Sequence, residues 1–462
     1  MNTVTLFTLL GTLASASPLV PRGVGSCDTA PLSDPPKVST PSSTLSNLAG
    51  WGPYISLESP LCRDTPSGFT IDQVTVLMRH GARGPTASSY PSIKAAVAKA
   101  ANATVMDSAF DFVKNYSAEG FTADALTDYG RKQMYDAGST YAKRYKKLVK
   151  KYFTRAASQT RVVESGQYFM QGFNGDKFAI KNTTLLPTMD LIINDDGTVN
   201  NTLTQVACPG YDDSTDLAAE AETNFNAIWN APITARLNEK LVGANFTDGD
   251  IRQLFTLCGY DGVKNLQYSA GAWCNAFTAA EFEQWEYLYD LSKYWGQSYG
   301  SPYRAAMYDG YVNDPSSSAA RSTPLSTPTL PHSPLTRPST WTLLNNDLVS
   351  IVTALGLWKD LNPLPTTVSV DAIPNRFFHI SRICPFGSRI VFERLSDKKG
   401  TKYIRVLIND AVAPLNFPDC GAYSWAGMCE LDAFVAAQSY AQSEPKNFNQ
   451  LCYSAPLNTT VV

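Results

Sequence analysis

The sequence carries no excess of positive charge. In 462 residues, 38 Lys+Arg stand against 41 Asp+Glu, a formal charge of −3 with a pI near 5.7. A nucleic-acid partner normally shows as a basic excess, so none is expected. No stretch approaches the ~18 consecutive apolar residues of a membrane-spanning helix. There is no C-x-x-C pair, and the cysteine spacing fits no zinc site. No internal repeat is present, and no pair of carboxylates stands out, which leaves little support for a carbohydrate- or wall-binding protein.

What is present is ordinary globular material. Apolar residues make up 44% and charged residues 17%, enough to bury a large core. Twenty-nine Pro, 29 Gly and 11% aromatics suggest a loop-rich enzyme. Residues 1–16 read as a signal peptide: Leu6 to Leu13 is an apolar run too short to span a bilayer, and Ala14-Ser15-Ala16 is a cleavage site. The mature chain is expected to be secreted, starting near Ser17. The nine cysteines (Cys27, Cys62, Cys208, Cys258, Cys274, Cys384, Cys420, Cys429 and Cys452) then read as disulfides with one left over. Asn102, Asn115, Asn182, Asn200, Asn245 and Asn458 each begin a glycosylation sequon.

Residues 17–50, rich in Pro, Ser and Thr, predict an extended arm. Gly68 to Met78 alternates and then turns wholly apolar, the pattern of a buried strand. Helices are expected over Asp124 to Lys151, Ser165 to Phe173, Glu281 to Trp295 (behind the capping box Thr278 to Glu281) and Val349 to Trp358. Short strands are expected at Arg161-Val162-Val163 and Ile404 to Ile408. Alternation of strands and helices makes the class α/β. The core is expected over 51–214 and 341–462, with a helical insertion or cap over 215–340. Within that cap, 315–341 holds 6 Pro, 7 Ser and 5 Thr in 27 residues, and predicts a disordered loop. The basic run Lys143, Arg144, Lys146, Lys147, Lys150, Lys151 and Arg155 reads as a solvated helix face.

The chemistry concentrates at Arg79-His80-Gly81-Ala82-Arg83-Gly84-Pro85-Thr86, directly after the buried strand. Open α/β sheets bind ligands at that end of their strands. Arginine presents a planar fork matched to phosphate oxygens. A neutral imidazole can attack phosphorus and carry the phosphoryl group covalently. Gly81 would let the backbone turn close to the phosphate. Phosphoryl transfer needs an in-line nucleophile, positive charge on the equatorial oxygens and a proton for the leaving oxygen.

With MRHGARGPT, the segments LTDYGRKQMYDAGSTYAKRY, SQTRVVESGQYFMQGF, LCGYDGV, LSKYWGQSYGSP, VSIVTALGLW, CPFGSRIVFERL and IRVLINDAVAPL resemble the histidine acid phosphatases, and within them the secreted fungal phytases. The resemblance runs over most of 50–314 and 346–455. It implies a phosphoglycerate-mutase-like α/β core, a mainly parallel sheet with flanking helices, plus a helical insertion. It implies hydrolysis of inositol phosphates, phytate above all, through a phosphohistidine on His80. Arg79, Arg83 and Arg161 would hold the phosphate, and neither metal nor cofactor is needed. A broad-specificity acid phosphatase is the nearest alternative. Lys94 and Lys99 fall where such phytases keep lysines facing the polyanion. The resemblance also implies disulfides Cys208–Cys452, Cys258–Cys274 and Cys420–Cys429. Cys384 would replace the usual partner of Cys62, leaving Cys27 as the free thiol.

One family element is missing. A His-Asp motif should precede the VSIVTALGLW helix, its His contacting phosphate and its Asp protonating the leaving oxygen. The histidines are only His80, His332 and His379. A gap-free match puts Leu344 and Asn345 at the motif. Asp347 is the only nearby acid, and N-capping the helix is its competing role. His332 reads as exposed and His379 as structural. The family pattern stops after Asn313 and returns at Asp347, a bounded block such as a shifted reading frame or misplaced splice boundary would produce. The other account is a true variant that binds inositol phosphates without turnover.

Overall fold

The computed structural model describes residues 44, 46–148, 152–180, 183–196, 208, 210–304, 339–344, 348–373, 376–438, 450–453 and 461. The expected leader, residues 17–43 and Cys27 lie outside them. In chain order the strands are β1 (Thr70–Arg79), β2 (Thr104–Val105), β3 (Tyr152–Ala157), β4 (Leu191–Ile193), β5 (Leu241–Val242), β6 (Ser339–Leu344), β7 (Arg389–Ser396), β8 (Lys402–Ile408), β9 (Ala411–Val412) and β10 (Met428–Glu430). The helices are α1 (Tyr90–Asn102), α2 (Asp128–Arg144), α3 (Thr160–Asn174), α4 (Gly210–Lys240), α5 (Asp248–Gly262), α6 (Ala279–Gln297), α7 (Leu348–Ala354), α8 (Ile380–Ile383) and α9 (Leu431–Ala437). None of the described helices is long and apolar enough to cross a membrane.

The main sheet runs β10-β8-β7-β1-β6-β3-β4, with β9 on β8. The run β1, β6, β3, β4 is parallel, and β7 and β8 continue it antiparallel. β1 is central, and every residue from Gln73 to Arg79 is buried. Its mostly apolar run Val74 to Met78, interrupted only by buried Thr75, is what a strand covered on both faces requires. α4, α5 and α6 form the insertion, whose aromatic core around Phe255, Phe277 and Trp285 is continuous with that of the sheet. The capping boxes Thr247–Asp250 and Thr278–Glu281 start α5 and α6.

Several expectations need correction. The Pro/Ser/Thr-rich stretch does not end as a loop: Ser339 begins β6, paired with both β1 and β3. Ser339, Trp341, Thr342 and Leu343 are buried, and the Trp341 ring lies 4.6 Å from that of Phe173 and 5.0 Å from that of Phe169. The core therefore resumes at 339, and 315–338 lie outside the described residues. Arg161-Val162-Val163 is the first turn of α3, not a strand; the β-branched pair imitates one, but Val162 faces the core at helical spacing. The basic run is not one solvated face. Arg144 is paired with buried Glu393 at 2.9 Å, and Arg155 is buried in β3 with its Nε donating to Thr342 Oγ1 at 3.0 Å. Opposite charge makes the burial of Arg144 tolerable.

The three clear disulfides form as expected: Cys208–Cys452, Cys258–Cys274 and Cys420–Cys429. Cys62 is disulfide-bonded but not to Cys384, which is a buried thiol. The backbones at both positions are engaged elsewhere: the Cys62 carbonyl accepts from Arg405 in β8, and the Cys384 carbonyl accepts from Arg79.

Candidate active site

β1 delivers Arg79 and His80 to the C-terminal edge of the parallel strands, and the chain then turns across the start of α2. That turn is the tightest packing at the site. A Cβ on Gly81 would stand 2.5 Å from Gly130 O, and one on Gly130 would stand 1.9 Å from Ala82 O. Gly81 is thus required by the backbone of α2, not by closeness to the ligand alone. Four bonds fix the loop. Gly81 N donates to Ser165 Oγ (3.0 Å), Ala82 N to Gln133 Oε1 (3.0 Å), Thr127 N to Ala82 O (3.0 Å) and Gly387 N to His80 O (3.0 Å).

His80 is fully buried. Its Nδ1 lies 2.8 Å from Gly81 O, so the ring proton sits on Nδ1 and donates there. Nε2 keeps its lone pair and has no partner. Burial first, then Arg79, Arg83 and Arg161, hold the imidazole well below its usual pKa of 6.5. Arg79 donates through Nη1 to Gly50 O and Cys384 O, both at 2.5 Å, and its guanidinium lies 4.7 Å from the Phe386 ring centre. Arg83 donates through Nη1 to Gly84 O (2.8 Å) and Tyr260 Oη (3.1 Å). Arg161, on the first turn of α3, reaches Asp124 at 3.6 Å, and Asp124 also accepts from Ala87 N at 2.9 Å.

The three Nε–H groups of these arginines are buried and without partners. Leaving a buried donor unmet is costly, and all three guanidiniums act electrostatically on His80, so the cluster suits an anion. Mutual repulsion adds to this. Burial and the neighbouring guanidiniums push Arg79 down to about 10, and Arg161 is lowered for the same reasons.

The other expected residues are placed unequally. Lys94 remains half exposed, 4.7 Å over the Tyr90 ring and 3.6 Å from Glu119. Lys99 is occupied, 2.6 Å from Asp250 in the cap of α5. Asp347, Asn345 and His332 lie outside the described residues. Leu344 ends β6 directly opposite Arg79 in the parallel register, so the backbone position expected to carry a histidine does adjoin the arginine. His379 belongs to a buried cluster with Glu286, Asp290 and Arg376. Glu286, Asp290 and His379 have atoms close enough to hold a metal, but Arg376 Nη2 stands 3.1 and 2.6 Å from the two carboxylates and offsets part of their charge. Ser165, Gln133, Asp124, Phe386 and Tyr260 were not singled out from the sequence, although four of the five lie in motifs that were quoted there. Their roles arise from contacts far apart in the chain, as for Gln133 and Phe386, 253 residues apart, and Phe386 with Arg79.

The family model described as histidine phosphatase superfamily (branch 2) matches residues 70–409. Phytase A of Aspergillus fumigatus is 34% identical over 456 residues, covering 94% of this chain and 96% of the relative. Phytase A of Arthroderma benhamiae is 33% identical over 431 residues, covering 88% and 92%. Among solved structures, the phytase from D. castellii superposes with a TM-score of 0.73 at 21% identity, covering 92% of each chain. A multiple inositol polyphosphate phosphatase of Bifidobacterium longum, solved with inositol hexasulfate, gives 0.62 at 14% identity, covering 85% and 97%. These two likenesses speak for the fold.

Proposed function

Since the chain belongs to branch 2 of the histidine phosphatase superfamily, we propose that it is a secreted phosphoric monoester hydrolase acting on phytate through a phosphohistidine on His80. The observation that carries this is the neutral, buried imidazole with a free Nε2 among three buried arginine N–H donors. Nε2 attacks phosphorus in line. The P–O bond to the inositol breaks as the P–N bond forms, and the leaving oxygen takes a proton. Water then attacks phosphorus, the P–N bond breaks, and inorganic phosphate leaves with His80 neutral again. Arg79, Arg83 and Arg161 stabilise the equatorial oxygens, whose charge their unpaired N–H groups match. Asp347 supplies the leaving-group proton, and Lys94 meets a peripheral phosphate at the rim. The phytase names of the fungal relatives favour phytate as substrate. Three disulfides and the leader favour an extracellular location.

A second reading is favoured by Leu344 opposite Arg79. A chain with leucine and asparagine at 344 and 345 holds phosphate but protonates the leaving oxygen poorly. Phosphate release from phytate and from p-nitrophenyl phosphate by the purified protein at acidic pH separates the two. Turnover inhibited by vanadate supports the enzyme; phosphate binding without turnover supports the binder.

A further inference from the structure

We propose that Tyr260 is a fourth ligand of the phosphoryl group, donating its hydroxyl hydrogen to an oxygen held among Arg79, Arg83 and Arg161. This rests on reading those arginines as a phosphate cage. Tyr260 lies in the last turn of α5, so the donor comes from the helical insertion, and it is 2% exposed. Its Oη accepts from Trp51 Nε1 at 2.9 Å and from Arg83 Nη1 at 3.1 Å. An indole N–H and a guanidinium can only donate. The phenolic hydrogen can therefore go to neither, and no acceptor for it is found among the described residues. A buried hydroxyl hydrogen needs one. The groups around it are donors: Tyr260 bears electrostatically on Arg79 and Arg161 as well as touching Arg83. An anion oxygen is the acceptor that suits such surroundings.

The arrangement is also rigid. Trp51 is wedged between Tyr289, with ring centres 4.2 Å apart, and Trp285 at 5.5 Å, and a Cβ on Gly259 would meet Trp51 Cβ at 2.7 Å. Oη is thus fixed before ligand arrives, the condition under which a donor is most effective. A neutral donor has a further merit here. It adds a hydrogen bond without adding a fourth positive charge to three that already repel one another.

The test uses the full secreted protein and inorganic phosphate, titrated calorimetrically. Tyr260→Phe keeps the ring, which packs 6.1 Å from Phe121, and removes only the hydroxyl. Phosphate should bind about tenfold more weakly, as for a lost hydrogen bond to a charged group; the protein should remain folded, with a thermal midpoint lowered because Trp51 Nε1 and Arg83 Nη1 lose their acceptor. The same substitution should still weaken phosphate in an Arg83→Ala background. Equal affinity in parent and Tyr260→Phe overturns the assignment. So does loss of the effect once Arg83 is gone, because Tyr260 would then only prop that arginine. A parent that binds no phosphate overturns the cage reading and this inference with it.

Discussion

At position 80, burial and three neighbouring guanidiniums act in one direction: all disfavour the imidazolium. The His80 imidazole is therefore held neutral into acid, where an ordinary histidine would be protonated, as the proposed attack on phosphorus requires. kcat/KM should show no acidic limb near pH 6.5, and a fall centred there would place a different nucleophile in the site. His80→Ala should abolish turnover, and acid quench of the parent with labelled substrate should trap a phosphoenzyme that the variant lacks. Arg161 is the arginine least enclosed by backbone bonds, held by Asp124 at 3.6 Å. Arg161→Ala should lower kcat/KM by roughly 10²-fold, as for loss of one oxyanion donor. Arg161→Lys should recover only part, because the planar fork is lost.

Among the elements, β6 determines how much of the anomalous block is accommodated by the fold. It sits between β1 and β3, and Trp341 fills the space between the sheet and helices α2 and α3. Those helices meet through glycine: a Cβ on Gly138 would stand 1.9 Å from Phe169 O, so the aromatic layer above has no slack. Trp341→Ala should cost about 3–5 kcal/mol in denaturant unfolding, the range for a large aromatic removed from a core. Loss below about 1 kcal/mol would mean that the strand contributes little. The block from 314 to 346 has a second, chemical test. Peptide mass spectrometry of native secreted protein should reveal a different sequence with His and Asp at 344 and 345 if the reading frame shifts. Recovery of the Pro/Ser/Thr-rich peptide would instead favour the phosphate binder.

For the whole molecule, two fully buried carboxylates set opposite limits in pH. Burial and the charge of Glu286 raise Asp290 to about 7, from 3.8, so the folded state keeps a proton that the unfolded chain has lost. Stability then falls as pH rises from about 4 to 7. Glu393 is held down to about 2, from 4.5: burial opposes its charge, but Arg405, Arg144 and Tyr145 outweigh that. Its contribution is present above about 4.5 and is lost as pH falls towards 2. Together they place the thermal midpoint's maximum in the acidic range, near pH 4–5. Asp290→Asn should flatten the fall towards pH 7 and leave the acid limb unchanged; an unaltered slope would show that other groups set it.

The sequence by itself determined the class, and it marked His80, Arg79, Arg83 and Arg161 as the candidate nucleophile and phosphate ligands, because these signals are local. A buried strand such as β1 is largely apolar, and the residues that follow it are placed by chain connectivity. The helix start at Thr278 is written within four residues. Tertiary structure decided what distant segments share. β6 was hidden because its Ser and Thr residues suit a loop as well as a buried strand, and only pairing with β1 and β3 distinguishes the two. Arg144 and Arg155 looked solvated because their partners Glu393 and Thr342 lie 249 and 187 residues away. Cys384 was matched to Cys62 through the resemblance, as a replacement for the usual partner, but a disulfide needs sulfurs in contact, and Cys384 remains a buried thiol while its carbonyl accepts from Arg79. Tyr260 became a candidate ligand for the same reason: the direction left to a hydroxyl hydrogen depends on which donors surround it, and those come from residues 51 and 83.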